Sequence, residues 1–144
     1  MPAKPGKPKA KPRPPERDYS HRALLDKLGV KPQQKIAVVG VEDASFLKDL
    51  AERIPDFACN KPPAGADIIF AAAEDTQALA RLKSLAASIA KSGAIWVVYP
   101  KGQKHIREID VIAAGKSAGL TDNKVCKFSE TYTALRFVIP LVHR

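Results

Sequence analysis

The sequence predicts a three-layer α/β domain, with a mostly parallel sheet, a C-terminal antiparallel hairpin and a disordered N-terminal tail. Three observations lead there. Nearly continuous apolar runs at residues 35–41 (KIAVVGV), 67–73 (DIIFAAA) and 94–99 (AIWVVY) read as strands buried on both faces. Segments with helical apolar spacing alternate with them, and this alternation implies β-α-β units with right-handed crossovers. The last two runs, 124–128 and 133–141, are separated by Ser129, Glu130 and Thr131, as in a hairpin.

In chain order, residues 20–30 (SHRALLDKLGV) form a short helix, with Ser20 as N-cap, an apolar stripe of Leu24, Leu25 and Leu28, and Gly29 as the left-handed stop. After the first strand, Asp43 or Ser45 caps a helix that places Phe46, Leu47, Leu50, Ala51 and Ile54 at helical spacing and ends before Pro55. Residues 57–59 make a short edge strand. After the second strand, residues 76–92 read as the longest helix, with Leu79, Leu82, Leu85, Ala86 and Ile89 inward and Gly93 as its stop. The third strand ends at Pro100, and residues 106–118 form a weaker helix stopped by Gly119. The whole pattern resembles the Rossmann-like core of class I methyltransferases, where the last strand runs antiparallel inside the sheet. Such a likeness concerns fold and leaves chemistry to the site.

Charge divides the 144 residues into two regions, a tail at 1–17 and a single domain at 18–144. The chain carries a formal +9, of which +5 lies in residues 1–17. That tail begins MPAKPGKPKAKPRPP, and proline and lysine without apolar anchors favour an extended, disordered chain. Lys4, Lys7, Lys9, Lys11 and Arg13 are its candidates for weak, non-specific contact with nucleic-acid phosphates. Aromatic residues are absent from the first 17 positions, so base stacking is not expected. No apolar run reaches the roughly 20 residues a membrane span requires, and no apolar segment follows the basic start as a secretory signal would need. Cys59 and Cys126 lie far apart with no nearby metal-type ligands, so neither a disulfide framework nor a metal site is expected, and reduced thiols suit the cytoplasm.

Ligands of open α/β sheets bind beyond the carboxyl ends of the strands, which directs attention to three loops. The first, GVEDAS, holds a single glycine, Gly40, and places Val41 and Glu42 where a nucleotide-binding turn needs glycines. A dinucleotide and S-adenosylmethionine are therefore both disfavoured, so no cofactor is expected. Glu42 and Asp43 here, with Glu74 and Asp75 in the second loop, could line one edge of the sheet for a cation, an amine or ribose hydroxyls. Asp43 and Asp75 are also simply good helix caps. In the third loop, Lys101 and Lys104 favour an anion, and His105 can titrate near neutrality. Arg136 interrupts an apolar strand, so a buried ion pair with Asp122 or Glu130 is expected, with ligand binding the alternative. Neither a Ser/His/Asp set nor a GxSxG motif is visible.

Residues 95–101 (IWVVYPK), 119–126 (GLTDNKVC) and 130–138 (ETYTALRFV) resemble a bacterial family, domain of unknown function 3052. Tyr19-Ser20 and the KLGV of residues 27–30 match the family's opening, so the resemblance spans about 19–139. Tyr132 stands where a tryptophan is frequent. The resemblance implies domain boundaries and no activity. Three functions follow in order of preference. The first is a non-catalytic binding or regulatory module on a degenerate methyltransferase-like scaffold. The second is a nucleic-acid-associated protein using the tail, and the third a small-molecule enzyme with its site at the C-terminal edge of the sheet.

Overall fold

The structure, a computed structural model, describes residues 24–140. The tail, the domain boundary near residue 18 and the Ser20 cap lie outside the described residues. The elements are β1 (Ile36–Val39), α1 (Ala44–Arg53), β2 (Ala58–Cys59), β3 (Ala66–Ala72), a 3-10 turn (Thr76–Arg81), α2 (Leu82–Ala86), β4 (Ile89–Pro100), α3 (Glu108–Ser117), β5 (Thr121–Lys127) and β6 (Tyr132–Val138). Residues 24–27 are helical and lead into Gly29, whose φ of +80° makes the left-handed stop.

Six strands form one sheet in the order β2-β1-β3-β4-β6-β5. β1 pairs in parallel with β2 and β3, and β3 in parallel with β4. β6 runs antiparallel to both β4 and β5, so the last strand lies inside the sheet, as the sequence pattern implied. The chain leaves β1 outward to β2 and returns to β3 on the other side. The strand order therefore reverses between β1 and β3, which opens a crevice at their carboxyl ends.

Strand alternation builds two cores. Ile36, Val38, Ile68, Phe70, Trp96 and Val98 join Phe46, Leu50 and Ile54 of α1 and the leucines of the first helical turn on one face. Ala37, Val39, Ile69, Ala71, Ile95 and Val97 meet Leu82 and Leu85 of α2 and Val111 of α3 on the other. Covering both faces explains why these strands are apolar throughout. Trp96 is core, and its indole N–H donates to the Leu28 carbonyl at 3.0 Å, tying the first helical turn to the sheet.

The expected helix over 76–92 is corrected. A 3-10 turn and a five-residue α-helix occupy only 76–86, and β4 begins already at Ile89. Ile89 pairs with Ala66, and the register then shifts before Ala94 pairs with Ile68. Gly93 sits inside the strand and is not a helix stop. A Cβ there would stand 2.8 Å from the Ala66 carbonyl oxygen, so only glycine permits this close approach. No helix among the described residues is long and apolar enough to cross a membrane.

Candidate functional site

The two loops leaving β1 and β3 meet the β5–β6 turn around a cavity of about 310 Å³. Gly40, Val41, Glu42 and Asp43 contribute from the first loop, Ala72 and Glu74 from the second, and Phe128, Ser129, Thr131 and Tyr132 from the turn. Gly40 takes φ +76°, the left-handed turn that carries the chain out of β1. Its N–H donates to the Asn60 side-chain oxygen at 3.1 Å, which fixes the loop to the end of β2. Val41 is buried in the core and adds an apolar side chain to the inner wall of the cavity. What this turn presents is the carboxylate of Glu42, which is exposed.

Asp43 caps α1, accepting from the Phe46 N–H at 3.0 Å, and also lines the cavity. Asp75 caps the 3-10 turn through the Ala78 N–H at 3.0 Å and is not among the lining residues. Three of the four edge carboxylates are thus brought together, and the fourth serves only its cap.

Glu74 is the most elaborated of the three. The Tyr132 hydroxyl donates to its Oε2 at 2.6 Å, a charge-assisted bond across 58 residues of sequence. That bond, then burial and the nearby charges of Glu74 and Glu42, push the Tyr132 phenol above its ordinary value. The tyrosine therefore remains a donor and holds the carboxylate in one position. His105 reaches the same residue from the third loop, its Nε2 lying 2.9 Å from the Glu74 carbonyl oxygen. A carbonyl only accepts, so Nε2 is the donating nitrogen of this bond. The histidine has a partner that spacing along the chain did not reveal.

Arg136 is corrected. It is half-buried, because β6 is next to the edge strand, and its Nη1 donates to the Asn123 side-chain oxygen at 3.3 Å. Glu130, one of its expected partners, pairs with Lys127 at 3.1 Å. Lys101 lies outside the acidic cavity, on the opposite face of the sheet edge. The nucleic-acid candidates Lys4, Lys7, Lys9, Lys11 and Arg13 lie outside the described residues. Among the described residues, no cluster of three or more His, Cys, Asp or Glu side chains is arranged to hold a metal ion.

Tyr132 is the site residue that the sequence did not disclose. A hydroxyl-bearing aromatic placed two residues after Glu130, at the mouth of the hairpin, was its only signal.

No family model matches the chain, and no curated protein matches it. Solved structures do. The chain is similar to magnesium protoporphyrin IX methyltransferase from Synechocystis PCC 6803 with bound S-adenosylmethionine, with a TM-score of 0.63 at 14% identity over 87% of this chain and 79% of that one. It is equally similar to an S-adenosylmethionine-dependent methyltransferase from Aquifex aeolicus, with a TM-score of 0.64 at 14% identity over 88% of this chain and 94% of that one. A mitomycin 7-O-methyltransferase gives 0.60 at 12% identity over 86% of this chain, which spans 57% of that longer protein. The first preference, a non-catalytic module, is corrected, because the proteins that share this fold are methyltransferases. At these identities the likeness is one of fold: the chain has the Rossmann-like fold of class I methyltransferases.

Proposed function

We propose that the protein is a small-molecule methyltransferase that binds S-adenosylmethionine in the acidic cavity at the carboxyl ends of β1 and β3. One observation carries the reading: Glu42, Asp43 and Glu74 converge on a cavity at the point where the strand order reverses. The single glycine and Glu42 argue against a phosphate, and that argument holds for dinucleotides. S-adenosylmethionine contains no phosphate. Its sulfonium and ammonium are cations and its ribose diol donates hydrogen bonds, so carboxylates suit it. Phe128 and Val98 give the cavity an apolar wall.

The group supplies, when bound, an electrophilic methyl. The chain supplies binding and orientation. Glu42 and Glu74 offset positive charge, and Tyr132 keeps Glu74 fixed through one oxygen while the second is left for a ligand donor. His105 donates through Nε2 to the Glu74 backbone carbonyl and so helps to hold the loop that carries Glu74.

The family resemblance fits beside this reading. We place the chain with the bacterial domain of unknown function 3052 family on residues 95–101, 119–126 and 130–138, in the cytoplasm. Within that motif Tyr132 supplies the hydroxyl to Glu74, where the frequent tryptophan would offer an indole N–H.

Calorimetry on the full chain tests the proposal. S-adenosylmethionine should bind with a Kd on the order of micromolar, and Glu74→Gln should weaken it roughly tenfold or more, the scale of one hydrogen bond to a charged group. No heat up to about millimolar ligand, equivalent to about 4 kcal/mol, would overturn it.

A further inference from the structure

The same sheet edge has a second face, and its chemistry is the reverse of the first. β4 and β6 alternate their side chains there. Val98 and Tyr132 line the acidic cavity, whereas Tyr99 and Thr133, paired across the two strands, form part of another cavity of about 410 Å³. Lys101, Lys104 and Arg107 surround this one, with Gly102, Gln103, Ile106 and Glu108.

The loop that carries the three cations is built. The Lys101 N–H donates to the Thr131 carbonyl at 3.0 Å, anchoring its start to the hairpin. Gly102 turns at φ +72°, Gln103 and Ile106 close on each other through an isolated antiparallel bridge, and Ile106 is 1% exposed, fixing the far end in the core. A turn so tied presents its charges in a defined place.

Those charges are only partly neutralised. Arg107 engages Asp110, its Nε 3.4 Å from a carboxylate oxygen, and Glu108 contributes one acid to the wall. Glu130 feels Lys101 weakly but makes its ion pair with Lys127. Lys101 and Lys104 make no ion pair among the described residues. On the floor, burial and then the charge of Glu108 hold the Tyr99 phenol above its ordinary value, so it remains a hydrogen-bond donor. Two ammonium groups, a guanidinium and a phenol therefore face a space with one acid in its wall. Such a donor set matches a small group that has several acceptor oxygens and more than one negative charge.

We propose that this second cavity binds the phosphoryl group of a small phosphorylated molecule, through Lys101 and Lys104 with Arg107 and Tyr99. The inference does not depend on methyl transfer, because it uses the other face of the sheet and none of the residues of the acidic cavity.

The test follows binding of inorganic phosphate and of phenyl phosphate to the full chain by thermal shift and ³¹P line broadening. Both probes should bind saturably, on the order of millimolar. The double variant Lys101→Gln/Lys104→Gln should weaken them at least tenfold, with its melting temperature in the absence of ligand unchanged, since both side chains are exposed. Lys91→Gln, an exposed lysine near the start of β4, should leave the affinity as it is. Undiminished binding in the double variant would overturn the proposal and assign the anion to another part of this basic chain. Lack of saturable binding by either probe would overturn it as well. So would a duplex oligonucleotide that binds and depends on the two lysines while phenyl phosphate does not, because the partner would then be a nucleic-acid backbone.

Discussion

Gly115 on α3 faces the ring of Phe137 on β6, and a Cβ at that position would stand 2.1 Å from the ring carbon Cε1. Phe137 is fully buried, so the ring has nowhere to retreat. Gly115→Ala is expected to cost about 1–3 kcal/mol by overpacking and to lower Tm by several degrees. Unchanged melting would show that α3 can lift from the sheet. Tyr132 gives a second test, read against pH. Its phenol is raised by the bond to Glu74, so the folded chain keeps that proton to higher pH than the unfolded chain does. The associated stability is fully present below the ordinary tyrosine value of 10.0 and declines as pH rises above it. Tyr132→Phe should remove that part of the alkaline decline. Tyr99, also raised, is present in both proteins and cancels in the comparison. Parallel curves for wild type and variant above pH 10.0 would contradict the bond to Glu74.

Neighbouring acids separate when the elements that hold them are considered. Asp75 ends a strand loop and caps the 3-10 turn, so Asp75→Ala should cost about 1 kcal/mol while Asp75→Asn costs little, by urea denaturation. Neither should alter ligand binding, whereas Glu74→Gln, one residue earlier, should. This division was partly legible in the sequence, since Asp followed by a helical pattern is a cap signal in its own right. The boundary of β4 was not legible. Leu82, Leu85 and Ile89 satisfy helical spacing, but Ile89 is claimed by long-range pairing with Ala66, and the Gly65 and Ala66 N–H groups bond the Ser88 carbonyl. Sheet pairing of this kind overrides a local apolar period that a five-residue helix satisfies only weakly. The hairpin was legible because its turn residues and its two strands are adjacent in the chain.

The molecule as a whole places its acidic cavity where the strand order reverses. Strand order fixes a crevice between β1 and β3, and the rule for open sheets directs attention to Glu42, Asp43, Glu74 and Asp75, of which the first three line the cavity. What the sequence could not supply was Tyr132, because it arrives at Glu74 only after the chain has crossed β4, α3 and β5. Nor could it supply the partner of His105, a backbone carbonyl invisible to any motif. Arg136 is less buried than an interior strand implied, because on one side only the edge strand β5 flanks β6. The reading of the acidic cavity as a cation and ribose site is tested most directly by its location. In ¹H–¹⁵N spectra of the full chain, S-adenosylmethionine should shift the amide resonances of Gly40, Glu42, Glu74 and Tyr132 together, with one titration curve. Shifts confined to the loop of Lys101 and Lys104, or no shifts at saturating ligand, would contradict it.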